Sequence, residues 1–278
     1  MPYKLLDWID ITQIRWDSLS ENPAAIDLLR EHPEQIVWYR LCSNQNPEAI
    51  EWLRQNPERI HWSCLSSNPA AITLLQENPE DINWESFVDN PAIGEFFNDN
   101  YNLEDFLDCI WWDELSTNPG AIDILQKNPD KINWRWLSAN PNPTAIEWLK
   151  SKPDEIYWEL LSENPSAIEL LKENPDKVDW GGLSYKPGGL SSNPNPVAIE
   201  WLKRHPDRIN WQALSGNPAA VDFLKEHPDR INWSSLSTNP AAVDFLKDYP
   251  DRINWYYFSR HPGLFSLEML TESCSKFD

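Results

Sequence analysis

Apolar positions along the chain recur in a fixed block rather than with a single helical period. Residues 60–81 show the block cleanly as IHWSCLSSNPAAITLLQENPED. Ile60, Trp62 and Leu65 come first, then a polar Ser-x-Asn-Pro, then Ala71, Ile72 and Leu75, then Asn-Pro and two acids. Ala, Ile and Leu at offsets of about 0, 1 and 4 share one face of a helix, so a helix is predicted after each such Asn-Pro. Asn is a favoured N-cap because its side-chain oxygen accepts an orphan backbone N–H. Pro suits the first helical position, where its missing N–H costs nothing. A second start is read at Asn-Pro-Asp or His-Pro-Asp, where the acid complements the helix dipole. Trp to Leu at three residues suits a helix, but Ile to Trp at two suits it poorly, so this second element is predicted as a tight 3₁₀ turn.

One Trp anchors each block: Trp16, Trp38, Trp62, Trp84, Trp112, Trp134, Trp158, Trp180, Trp211, Trp233 and Trp255. Helices this short are marginal alone and must be stabilised by packing on neighbours. The pattern therefore predicts an all-α solenoid of about eleven 22–24-residue repeats forming a single domain over 1–278. Residues 1–13 and 256–278, which lack the full motif, are expected to be an N-terminal and a C-terminal cap around repeats 14–255, because an open array has to shield its last hydrophobic faces.

Some units depart from the rule. Three carry two extra residues before the helix, at Asn44–Pro47, Asn140–Pro143 and Asn193–Pro196, and the same three place an extra Trp at 52, 148 and 201. That pairing predicts a larger ring packed on a longer turn. The block is degenerate over 85–111, where the second Asn-Pro is missing and Phe96, Phe97, Tyr101, Phe106 and Trp111 crowd together. An insertion over 181–196 contains the near-duplicate Leu183-Ser184 and Leu190-Ser191 and is read as a surface loop.

Composition changes the picture in a few places. Trp numbers 17 and the net charge is −21. So many Trp residues argue against disorder, since each buries roughly 200 Å² when packed. The acidity disfavours direct nucleic-acid binding and anionic membranes, and permits basic protein partners. Acids spaced three residues from Lys or Arg on the first helix, as in Glu147–Lys150 and Glu169–Lys172, make much of that charge scaffold. The four Cys show no metal-type spacing, and neither a signal peptide nor a membrane-length apolar stretch is evident, so a reducing, cytoplasmic setting is expected.

No catalytic constellation is legible. His32, His205, His227 and His261 each precede Pro where other units have Asn, and are read as taking over its capping role. The recurring Ser, as at Ser66 and Ser138, is expected to bond local backbone rather than act as a nucleophile. The expectation is therefore no enzyme, no cofactor and no metal site.

The motif W-x-x-L-S-x-N-P-x-A-I-x-x-L-x-x-N-P-D-x-I-x-W, carried from about Ile14 to Pro262, resembles a tandem repeat encoded in many copies by giant DNA viruses. The resemblance implies a viral protein located in the host cytoplasm or in a virion. More loosely the unit is similar to the leucine-rich repeat variant, which implies α and 3₁₀ helices alternating in a right-handed superhelix. A true leucine-rich repeat is the alternative fold, lacking here the L-x-L of its strand.

Function is expected to be that of a protein–protein interaction scaffold. Alternatives are a virion or other structural component with possible self-association, and an acidic nucleic-acid mimic that binds a basic protein. The residues expected to contact a partner are Phe96, Phe97, Tyr101, Trp111, Tyr185 and Lys186.

Overall fold

The computed structural model describes residues 3–97, 103–183 and 186–267, and among these the chain is mostly helical, with short α-helices and 3₁₀ helices alternating. The unit of Trp62 shows the local logic. An α-helix spans Trp62–Ser66, a 3₁₀ helix Pro69–Ala71, an α-helix Ile72–Glu77 and a 3₁₀ helix Pro79–Asp81. Ile82 and Asn83 are then extended, and the next α-helix begins at Trp84. The second predicted element is thus split. Ile and Trp two residues apart both reach the core because the backbone between them is extended, where side chains alternate with a period of two.

The first Asn of each block caps as predicted. Asn68 Oδ1 accepts from the N–H of Ala70 at 3.0 Å, and Asn217 Oδ1 from that of Ala219 at 3.0 Å. In the units with two extra residues the helix runs unbroken over Pro47–Gln55, Pro143–Lys150 and Pro196–Arg204, capped by Asn46, Asn142 and Asn195. Trp52, Trp148 and Trp201 lie half-buried against the core. Trp201 lines the cleft beside Trp180, the place Leu74 takes beside Trp62, so the larger ring fills an inter-unit groove.

The second Asn or His does not cap the element that follows it, which corrects the expectation for both. Asn56, Asn78, Asn128 and Asn174 instead donate backward to the carbonyl four residues earlier at 2.8–2.9 Å, closing the preceding helix. His32, His205 and His227 lie edge-on to Trp16, Trp180 and Trp211, with ring centroids 5.2, 4.8 and 5.4 Å apart.

Between units the core is a column of fully buried Leu and Ala, such as Leu65, Ala71 and Leu75. Each such Leu contributes roughly 2–3 kcal/mol by burial. Two sets of hydrogen bonds stitch the column. The Nδ2 of each first Asn donates to two carbonyls of the preceding unit: Asn68 to Cys42 and Asn44, both at 2.8 Å, and Asn140 to Ser116 and Asn118 at 3.0 and 2.9 Å. The recurring Ser donates to its own helix and accepts from the next unit. Ser66 Oγ bonds the Trp62 carbonyl at 2.7 Å and receives the Asn83 N–H at 3.0 Å. Buried carbonyls are satisfied by these bonds, each worth about 1 kcal/mol net.

The ends are not separate caps. Asn22 donates to the carbonyls of Ser259 and His261 at 3.4 and 2.7 Å, and the Arg15 N–H donates to Ser259 Oγ at 3.0 Å. These are the Asn and Ser bonds of most other junctions, made here between the first unit and the last. Residues Tyr3–Leu5 pair antiparallel with Phe265–Leu267, and the Leu6 N–H reaches the Leu264 carbonyl at 2.9 Å. The 3₁₀ helix Ile11–Gln13 then supplies the turn that the last unit lacks. The unit begun by Trp255 at the C-terminal end is completed by the N-terminal residues, and the hydrogen-bonded circuit closes. Residues 1–2 and 268–278 of the two expected caps lie outside the described residues.

Both irregular stretches preserve the circuit. After Phe97 a seven-residue 3₁₀ helix, Leu103–Cys109, replaces the missing Pro turn. In the insertion, Gly182–Leu183 pairs with Lys186–Pro187 as a small hairpin. Leu190 and Ser191 enter the core and the Ser bonding pattern, with Ser191 Oγ on the Trp180 carbonyl at 2.8 Å. Gly189 makes the return at φ 60°, a conformation that favours Gly.

Candidate interaction surface

In each block Ile, Leu, Ser and Asn are committed to the core and the stitching bonds. That leaves the positions immediately before and after the anchoring Trp exposed or half-buried, and they vary in chemistry. Near the closure they form one connected network. Arg40 pairs with Glu21 and donates to the Tyr39 and Tyr256 hydroxyls at 2.7 and 3.3 Å. Arg260 forms an ion pair with Glu21 at 3.1 Å and donates to the Tyr256 hydroxyl at 3.0 Å, so side chains from the first, second and last units meet.

A second cluster lies in the middle of the chain. Trp111, just before Trp112, is 50% exposed, and Trp136, two residues after Trp134, is 37% exposed. The Arg135 guanidinium lies 5.7 Å from the Trp136 ring and 4.3 Å from that of Tyr157, and donates to the Tyr157 hydroxyl at 3.3 Å. The Asn133 side chain donates to Asp113 at 2.8 Å, fastening the two Trp-bearing units together.

Charge is unevenly spread. Between Arg59 and Lys127 the sequence holds thirteen Asp or Glu and no Lys or Arg. This arc accounts for most of the net charge of −21. Among its described acids, Glu85, Asp108, Asp113, Glu114 and Asp123 are exposed. The arc is visible in the sequence as a missing residue type, a signal that a search for motifs passes over.

Clefts also recur where one unit meets the next. One of about 340 Å³ is lined by Pro57, Ile60, Trp62 and Leu74 beneath the Arg54–Glu77 ion pair. Its counterpart of about 250 Å³ lies between Val178, Trp180, Trp201 and His205. One of about 410 Å³ straddles the closure, between Trp8 and Trp255. Volumes of this size take one or two side chains, at the lower end of small-molecule pockets.

The described residues expected to meet a partner differ in exposure. Phe96 is fully buried, against Trp84, Phe87 and Phe106, which removes it from any contact surface. It occupies the inward face of Ile93–Phe96, a helix of the degenerate unit, and the aromatic excess there rebuilds the core that the lost Pro turn left incomplete. Phe97 is half-buried beside Phe96 and Phe106. Trp111 is the exposed member. Lys186 lies in the hairpin, while Tyr101 and Tyr185 lie outside the described residues. Trp136 and Tyr39, also exposed, were not singled out, although an aromatic at a non-periodic position marks them in the sequence.

The Ser hydroxyls and first Asn amides are buried and engaged in the stitching bonds, and among the described residues no three His, Cys, Asp or Glu are grouped to hold a metal ion. No described helix is long and apolar enough to cross a membrane. Compared with known proteins, the chain matches no family, no curated protein and no solved structure.

Proposed function

We propose that this protein is a non-enzymatic repeat scaffold, a solenoid of about eleven units with the right-handed sense implied by its likeness to the leucine-rich repeat variant. On this reading it docks proteins on the positions flanking its anchoring Trp residues. One observation supports this above the others. Positions flanking the anchoring Trp recur on a stitched frame, yet carry Trp111, Arg135 and Trp136 in one region and Asn232, Ser234 and Ser235 in another. A fixed frame with variable outward residues is how repeat proteins present a binding surface.

A structural role through end-to-end assembly is less favoured, because the edges that would join copies are used within the chain. The viral and cytoplasmic setting rests on the sequence resemblance and belongs to the same proposal.

The test is affinity capture from the native cell with the wild-type chain, with Trp111→Ala/Trp136→Ala, and with Gln212→Ala/Ser234→Ala as a control. A protein retained by the wild type and the control but lost with the Trp pair supports the scaffold reading. No retained protein, or retention indifferent to both pairs, counts against it.

A further inference from the structure

Resting on the scaffold reading, we infer that the described residues between Arg59 and Lys127, 60–97 and 103–126, dock a Lys/Arg-rich segment of a partner protein, with Trp111 as its aromatic contact. Three observations converge. The first is the charge bias: no Lys or Arg lies within this stretch of sequence, and of its described acids Glu77 pairs with Arg54 from outside it. Elsewhere several acids pair on their own helix: Glu147–Lys150, Glu169–Lys172, Glu200–Lys203 and Asp222–Lys225 at 2.7–2.8 Å. The second is the position of Trp111, which offers half its surface to solvent where equivalent units have Asn133, Asn210 or Asn232. An exposed indole among carboxylates attracts a cation by its ring face and by charge at once.

The third is where the arc ends. Arg135 already lies against Tyr157 and Trp136, so the protein's own guanidinium occupies the aromatic surface next along the chain. Trp111 has no cation within its own stretch of chain to play that part. The arrangement around Arg135 shows the kind of contact that the surface around Trp111 would make with a residue supplied from outside. Arg fits this role better than Lys, because its planar guanidinium stacks on an indole while bonding a carboxylate.

The experiment measures anisotropy of a labelled Gly-Arg-Lys repeat peptide titrated with the full chain at about 0.15 M and about 0.5 M salt. Binding at the lower salt, weakened at the higher, is expected. Glu85→Lys/Glu114→Lys should weaken it by about tenfold or more, and Trp111→Ala by about threefold or more. Glu226→Lys/Asp248→Lys, an equal charge change at exposed sites outside the arc, should leave it within about twofold. Equal weakening by both Lys pairs is what a general acidic mimic would give, and overturns the assignment. So does a Trp111→Ala variant that binds as the wild type does, or no binding at the lower salt. Those results leave the scaffold reading standing, because that reading is judged by capture of a native partner and not by this peptide.

Discussion

The side-chain amide of Asn22 lies 2.7 Å from the carbonyl oxygen of His261, a hydrogen bond spanning 239 positions of sequence. It is the same bond that Asn44 makes to Asn22 at 3.0 Å and Asn239 makes to Asn217 at 2.9 Å. Through it the last junction becomes equivalent to the others. An open array frays from its ends, because terminal units have one neighbour instead of two. Here each unit has two.

The closure should therefore be visible in hydrogen exchange. Amides in Trp16–Leu19 and Trp255–Phe258 are expected to be protected as well as those in Trp134–Leu137 at mid-chain. Removing residues 1–6 should strip protection from both terminal helices and enlarge the particle in solution scattering, with the mid-chain helices retained. Fast exchange at the two ends of the intact chain would show that they are not joined.

The Asn rungs carry stability through both ends of their amide. Asn217→Ala removes an N-cap and leaves the Ser191 and Asn193 carbonyls without their donor. A loss of about 2–4 kcal/mol is expected from denaturant unfolding. Asn217→Asp keeps the cap acceptor but turns a carboxylate oxygen toward two carbonyls, so it should be no better than Ala. If Asp restored wild-type stability, capping alone would explain the conserved geometry of the rung.

His261 makes the last rung acid-sensitive. Its Nε2 lies 3.0 Å from the Ser237 carbonyl in a buried site, and burial holds its pKa below the ordinary 6.5. The unfolded chain then binds the proton more readily than the folded one between those two values. The contribution is fully present above about pH 6.5 and is lost as the pH falls toward the depressed folded value. His261→Asn should flatten stability against pH in that window, measured as the unfolding midpoint from about pH 7.5 to 5. An unchanged slope would remove His261 from the account.

Cys42 stands where most other units have Ser, and its buried Sγ accepts the His61 N–H at 3.3 Å. Burial pushes its thiol up to about 11. It should resist a thiol reagent at neutral pH under conditions that label the exposed Cys109 within minutes. Cys42→Ser should leave stability unchanged or raise it by up to about 1 kcal/mol, since a hydroxyl accepts more strongly. Labelling of Cys42 as fast as Cys109 would contradict its burial.

Much of the local architecture was legible because its causes are local. The Asn-Pro cap, the helix Ile72–Glu77 that follows it and the break in the block after Trp84 all follow from residues within one turn of each other. What needed a neighbouring unit was hidden. The second bond of Asn68 goes to Cys42 and Asn44, and no property of Asn68 alone names them. Ile82 was read as part of a turn because two core residues at a spacing of two were fitted to a helical element, whereas an extended backbone serves them without strain. The closure left one trace, unrecognised as such. The chain opens on half a block, from Trp8 to Gln13, and the described part ends on the other half, from Trp255 to Leu267. On the candidate surface, counting aromatics favoured 96–111 as a whole, but only the solvent exposure of Trp111 and the burial of Phe96 divide that segment into contact and core.

A circuit whose last rung meets its first also constrains how such a gene can change. An open array tolerates the gain or loss of a block by recombination, since each copy only lengthens or shortens the stack. Here an added 22-residue block would force every junction from Asn22 to His261 to turn by a smaller angle, or else leave the strands Tyr3–Leu5 and Phe265–Leu267 unable to meet. Closure therefore ties block number to the angle of every junction, whereas the hairpin at 182–187 lengthens one unit outward without breaking the circuit.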